Sequence, residues 1–181
     1  MTVERAFCLA SGPSLTDEQI ETVRQWRTDQ NIVVVTNNTW ERARWADALY
    51  AMDGRWWRKY GENAKRFSGR RYCAVVGYGA EQKPLAVYGN SGAGALVLAR
   101  MLGAKWIGML GYDCRSVDGR LHHHADHEGM NNCINMHRWP GQFAKAKRSL
   151  RGARVINFTP GTALNCFPVE DFEQWRATLS N

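Results

Sequence analysis

The chain has 181 residues, 44% of them hydrophobic and 23% charged, the proportions of a soluble globular chain. Lys and Arg number 24 against 17 Asp and Glu, a net charge of +7 that attracts anions such as nucleotides, nucleic acids and anionic glycans. No apolar run approaches the ~20 residues that cross a bilayer, which excludes a helical membrane span. The length suits one domain, residues 1–181. Met1–Arg5 lead into no apolar signal-peptide segment, so a cytoplasmic location is expected. Five widely spaced cysteines without a C-x-x-C pair predict free, buried or half-buried thiols rather than a disulfide framework or a Cys-rich zinc site.

In chain order, residues 5–10 read as a strand. Thr16-Asp-Glu-Gln19 forms a capping box for a helix through about Asp29, with Ile20, Val23 and Trp26 on one face. "NIVVVTNN" is a second strand, and its unbroken β-branched run suits a central parallel strand. Asn38-x-x-Glu41 is a cap for a short helix. "ADALYAMD" is a weak third strand, 54–66 a helix and "RYCAVVGYG" a fourth strand. In "YGNSGAGALVLARMLGAKWIGMLGYD", Ser91 caps a helix of small residues that ends at Gly103, and "KWIGML" follows as a buried strand. The small residues Gly92, Ala93, Gly94 and Ala95 allow a close approach to that helix start. Residues 112–138 hold a polar loop rich in His and Asn. Residues 139–150 form a basic helix at the start of the densest basic run, Lys145–Arg154; "ARVINFT" is a late strand and 169–178 a terminal helix. Strands alternating with helices predict an α/β, doubly wound, mostly parallel sheet with helices on both faces. Ligands of such sheets sit beyond the carboxyl ends of the strands.

Those ends share a character: Ser11-Gly12-Pro13-Ser14, Thr36-Asn37-Asn38, Asn90-Ser91-Gly92, Gly111-Tyr112-Asp113 and Thr159-Pro160-Gly161-Thr162. One such loop is ordinary turn chemistry. Five at one rim supply hydrogen bonds for a ribose, a base edge and a phosphate. The first turn is neither a Walker A loop nor the G-x-G-x-x-G fingerprint.

The order of "LASGPSL", "VVVTNN", "NSGAGALVLARMLGAKWIGMLGYD" and "INFTPGTAL" resembles the family 42 bacterial sialyltransferases and the related domain that includes the archaeal 6-hydroxymethylpterin diphosphokinase. It is similar also to short phage and prophage proteins of that superfamily. The resemblance spans residues 6–165 and implies a Rossmann-like fold that binds a nucleotide or nucleotide-sugar donor, CMP-sialic acid in the sialyltransferases. By the same resemblance Ser11, Gly12, Asn37 or Asn38, Ser91, Gly92 and Gly111 contact the donor; Pro13, Ser14 and Asp113, in the same strand-end loops, complete the expected nucleotide-binding set. Ala10 stands where the family has a first Gly. Arg115 and His122 stand near its phosphate-binding tyrosines, and Arg115 offers a bidentate phosphate contact.

"GRLHHHADHEGMNNCINMHRW" carries all five histidines. Their titration near neutrality suits acid–base work or metal binding. The sialyltransferase base, a His ahead of a helix, maps to His137, with His127 second. Three functional readings follow. The first is a glycosyltransferase-like enzyme that needs no cofactor, with a nucleotide-sugar donor and an anionic acceptor. The second is a divalent-metal phosphotransferase or hydrolase using Asp113, His122, His124 and His127. The third is a non-catalytic phage module binding nucleotides or nucleic acid through the basic helix and tryptophans.

Overall fold

The computed structural model describes residues 2–125 and 135–179. The strands are β1 (Arg5–Leu9), β2 (Asn31–Thr36), β3 (Ala48–Ala51), β4 (Arg70–Cys73), β5 (Glu81–Gln82), β6 (Trp106–Leu110) and β7 (Arg154–Asn157). They form one sheet in the order β5-β4-β3-β2-β1-β6-β7. Every pairing is parallel. The helices are α1 (Asp17–Trp26), α2 (Gly54–Ala64), α3 (Ser91–Met101), α4 (Trp139–Ser149) and α5 (Phe172–Ala177).

Because side chains alternate along a strand, β1 feeds two cores. Ala6 and Cys8 join the residues of α3 and α4 on one face, while Phe7 and Leu9 join those of α1, α2 and α5 on the other. The sheet is therefore covered on both faces, the α/β doubly wound, Rossmann-like arrangement expected. Burial on both faces is what the continuous Val33-Val34-Val35 run of β2 is for: all three are fully buried. On the α1 side, Phe7 sits edge-on to Trp26, Trp106 and Trp175, so these tryptophans are packing residues.

Four local expectations change. β4 stops at Cys73, because Gly77 and Gly79 take left-handed backbone angles and β5 pairs only with Tyr72 and Cys73. Val75 and Val76 are consequently exposed. The edge strand β5 and the short 3-10 turn Leu85–Tyr88 carry no periodic signal and were not expected. Asn38 caps nothing; its side chain accepts a bond from Trp56 Nε1 at 2.7 Å. The cap of α3 is Asn90, whose Oδ1 accepts the Ala93 amide at 2.7 Å, and not Ser91. The capping box at Thr16 and Gln19 forms as expected.

Cys8 and Cys73 are buried free thiols and Cys166 a half-buried one; Cys114 is half-buried, and Cys133 lies outside the described residues. Among the described residues no helix is long and apolar enough to cross a membrane.

Candidate functional site

β1 has β2 on one side and β6 on the other. The chain leaves β1 towards β2 and later returns on the opposite side, so the exits of β1 and β6 flank a topological switch point. Backbone bonds stitch these exits together: Ala10 N donates to Leu110 O and Gly12 N to Gly111 O, each at 2.9 Å. Gly111 has φ +72°, where a side chain is strained, and a Cβ on it would also overlap the Ala10 carbonyl.

Asp113 lies beneath the first turn. Its Oδ2 accepts the Ser14 hydroxyl at 2.8 Å and the Ser14 amide at 3.4 Å. It is 1% exposed, and Oδ1 has no partner among the described residues. Desolvation pushes its pKa up, against the Ser14 bonds that pull it down. Asp113 and Ser14 thus hold the turn in place. The exit of β7 acts as a brace as well. Thr159 Oγ1 accepts the Tyr112 amide at 2.9 Å, and Thr162 Oγ1 donates to the Tyr112 carbonyl at 2.6 Å.

At the start of α3, Ser91 Oγ accepts the Met52 amide at 3.0 Å and donates to Asn37 Oδ1 at 3.1 Å. One hydroxyl therefore joins the exits of β2 and β3 to the positive end of a helix. Asn90 Nδ2 donates to Gln142 Oε1 of α4 at 2.7 Å, which fixes α4 beside that end.

These elements enclose a cleft of about 530 Å³, partly open to solvent, in which about 100 Å³ is room for the centre of a water molecule. Its sheltered part suits one ring-sized group, with the rest of any larger ligand in the mouth. Ser11, Gly12, Asn37, Asn90, Ser91 and Gly92 make a polar wall. Tyr112, Trp139 and Phe143 make an aromatic one, joined by Gly111, Leu121 and His122. The cleft thus gathers the expected Ser11, Gly12, Asn37, Ser91, Gly92 and Gly111. Pro13, Ser14, Asn38 and Asp113 do not line it. Nor does Arg115, which is exposed and bonds the carbonyls of Gly161 and Ser116. His137 is exposed in the short turn Met136–Arg138 and does not line the cleft, although the helix that follows it does. His127 lies outside the described residues. Asn90 and Tyr112 were expected at the rim without a stated contact, and Trp139 and Phe143 were missed. Trp139 and Phe143 do stand four apart on the predicted basic helix, the spacing of one helical face.

Residues 121–125 fold over the first turn. The His123 amide donates to Ser11 O at 2.9 Å, and His123 Nε2 meets Thr39 Oγ1 at 3.3 Å. His122 and His124 stack with centroids 4.8 Å apart. Among the described residues no three His, Cys, Asp or Glu side chains gather as a metal-ligand set.

No family model, curated protein or solved structure matches the chain. The site is therefore read from its own residues.

Burial, with His124, Arg42 and His122 adding positive charge nearby, pushes the His123 pKa down to about 3 from 6.5. Below pH 6.5 the unfolded chain takes up a proton that the folded chain refuses, so stability falls as pH drops from 6.5 towards 3 and is unaffected above 6.5. In thermal melts, His123→Asn is expected to show a shallower loss of Tm than wild type across that window. Parallel acid limbs would show that His123 is not buried as described.

Proposed function

We propose that the protein binds a nucleotide in the β1/β6 cleft and uses a nucleotide-sugar as donor in glycosyl transfer. The observation that carries this reading is the meeting of four separate strand and helix ends at one cavity on the switch point of the sheet. The Ser91 and Gly92 amides at the α3 start supply donors for an anionic leaving group, as a positive helix end does. Tyr112, Trp139 and Phe143 supply a face on which a base packs. Among the described residues His122 is the imidazole that lines the cleft, so it takes the base role that the motif comparison gave to His137. It would accept the proton of the acceptor hydroxyl as the nucleotide leaves.

Calorimetry with CMP, UMP and GMP tests the binding step; at least one is expected to bind. Ser91→Ala, which frees Asn37, is expected to weaken that binding by about 1 kcal/mol, roughly fivefold in Kd. His122→Ala is expected to retain nucleotide affinity and to slow nucleotide release from CMP- and UDP-activated sugars by about 10²-fold or more. If none of the three nucleotides binds, the reading fails at its first step.

A further inference from the structure

The charge of the molecule is divided between its two faces. Residues 82–112 and 129–169 contain no Asp or Glu, yet hold nine Lys and Arg. These segments include α3 and α4, which lie together on one face of the sheet. On the other face carboxylates are interspersed with the cations and several pair: Arg42 with Asp17, Arg24 with Glu21, Lys65 with Glu62 and Arg176 with Glu18. On the α3/α4 face, Arg100, Lys145, Lys147, Arg148 and Arg151 pair with no carboxylate among the described residues.

The packing of α4 sets this face. Phe143, Ala146 and Leu150 are buried against the sheet, which turns Lys145 and Arg148 to solvent. Arg100 at the end of α3 donates to the Arg151 carbonyl at 3.4 Å, which brings its charge to the end of α4. Lys147 Nζ donates to the Cys166 carbonyl at 2.7 Å. The result is a cluster of cations on and just beyond two packed helices.

We propose that the α3/α4 face docks the phosphate backbone of a nucleic acid. A row of unneutralised cations on a folded surface binds phosphates by releasing counterions, without reading sequence. An anionic bilayer is the other polyanion, but a membrane-surface helix directs its apolar side into lipid. Here the apolar side of α4 is spent on the core, and among the described residues of α3 and α4 Met101 is the exposed large apolar side chain, with Val87 in the neighbouring turn Leu85–Tyr88. The inference is independent of the cleft reading.

Fluorescence anisotropy with a labelled mixed-sequence oligonucleotide of about 20 nucleotides, single-stranded and duplex, tests it. Binding is expected at low salt, with log K falling against log salt at a slope of roughly −3 to −4. The triple variant K145E/R148E/R151E is expected to weaken binding at least about tenfold and to reduce the slope by about three. The equal charge change R24E/K65E/R66E on the α1/α2 side should leave affinity within about twofold. Melts of both variants check folding, and CMP calorimetry on the first checks that the cleft is untouched. Absence of binding at low salt overturns the proposal. So does equal loss in the two variants, or oligonucleotide binding that ignores the first variant while phosphatidylserine vesicles are lost by it.

Discussion

Gly12→Ala is expected to lower Tm by roughly 3–10 °C and to abolish nucleotide binding together. A Cβ at Gly12 would overlap both Asp113 Oδ2 and the Gly111 carbonyl. Neither can yield cheaply. Asp113 is held by two bonds from Ser14, and the Gly111 carbonyl already accepts the Gly12 amide at 2.9 Å. Overpacking of this kind costs about 1–3 kcal/mol, and each kcal/mol moves Tm by about 2–4 °C in a chain of this size. Relief by moving the turn separates the exits of β1 and β6, so the polar wall of the cleft opens with it. Adding Asp113→Ala removes one overlap and leaves the backbone one, so the double variant should recover only part of the loss. Pro13→Ala, one residue away and outside the cleft lining, is the control. Unchanged Tm and CMP affinity in Gly12→Ala would show that the turn does not rest on Asp113.

Gly94→Ala has the second large effect, and its sign opposes helix propensity. In an exposed helix the change would gain up to about 1 kcal/mol. In α3 the added Cβ would lie 2.8 Å from Tyr50 Cζ and 2.9 Å from Tyr50 Oη, inside contact distance. Tyr50 is fully buried and has no space to retreat. A net loss of about 1–3 kcal/mol is expected by urea denaturation. Tyr50→Leu removes the ring and also a buried hydroxyl without a partner among the described residues. Gly94→Ala on that background should cost much less, a coupling of about 0.5–3 kcal/mol. Strict additivity would mean that helix and ring do not touch.

Both predictions concern glycines whose importance the sequence shows only in part. The string of small residues at 92–95 predicts a close approach to the helix start; it cannot name Tyr50 as the neighbour, because Tyr50 lies on another strand. The first turn reads as a ligand loop from its residue types alone. That Asp113 supports it from below depends on β6 pairing with β1, a contact between segments about a hundred residues apart.

Period and punctuation are written in local residue order. Apolar spacing, the capping box at Thr16 and the β-branched run of β2 are local signals, and they were enough for the α/β class, for most element positions and for small polar residues at the strand exits. Which exits meet is set by long-range packing. It placed the exits of β1, β2 and β6 and the start of α3 around one cleft, set the exit of β7 behind it as a brace, and turned His122 inward while His137 faces solvent. The reason is that strand order and side-chain direction are settled by packing between distant segments, and residue spacing along the chain carries no record of that contact.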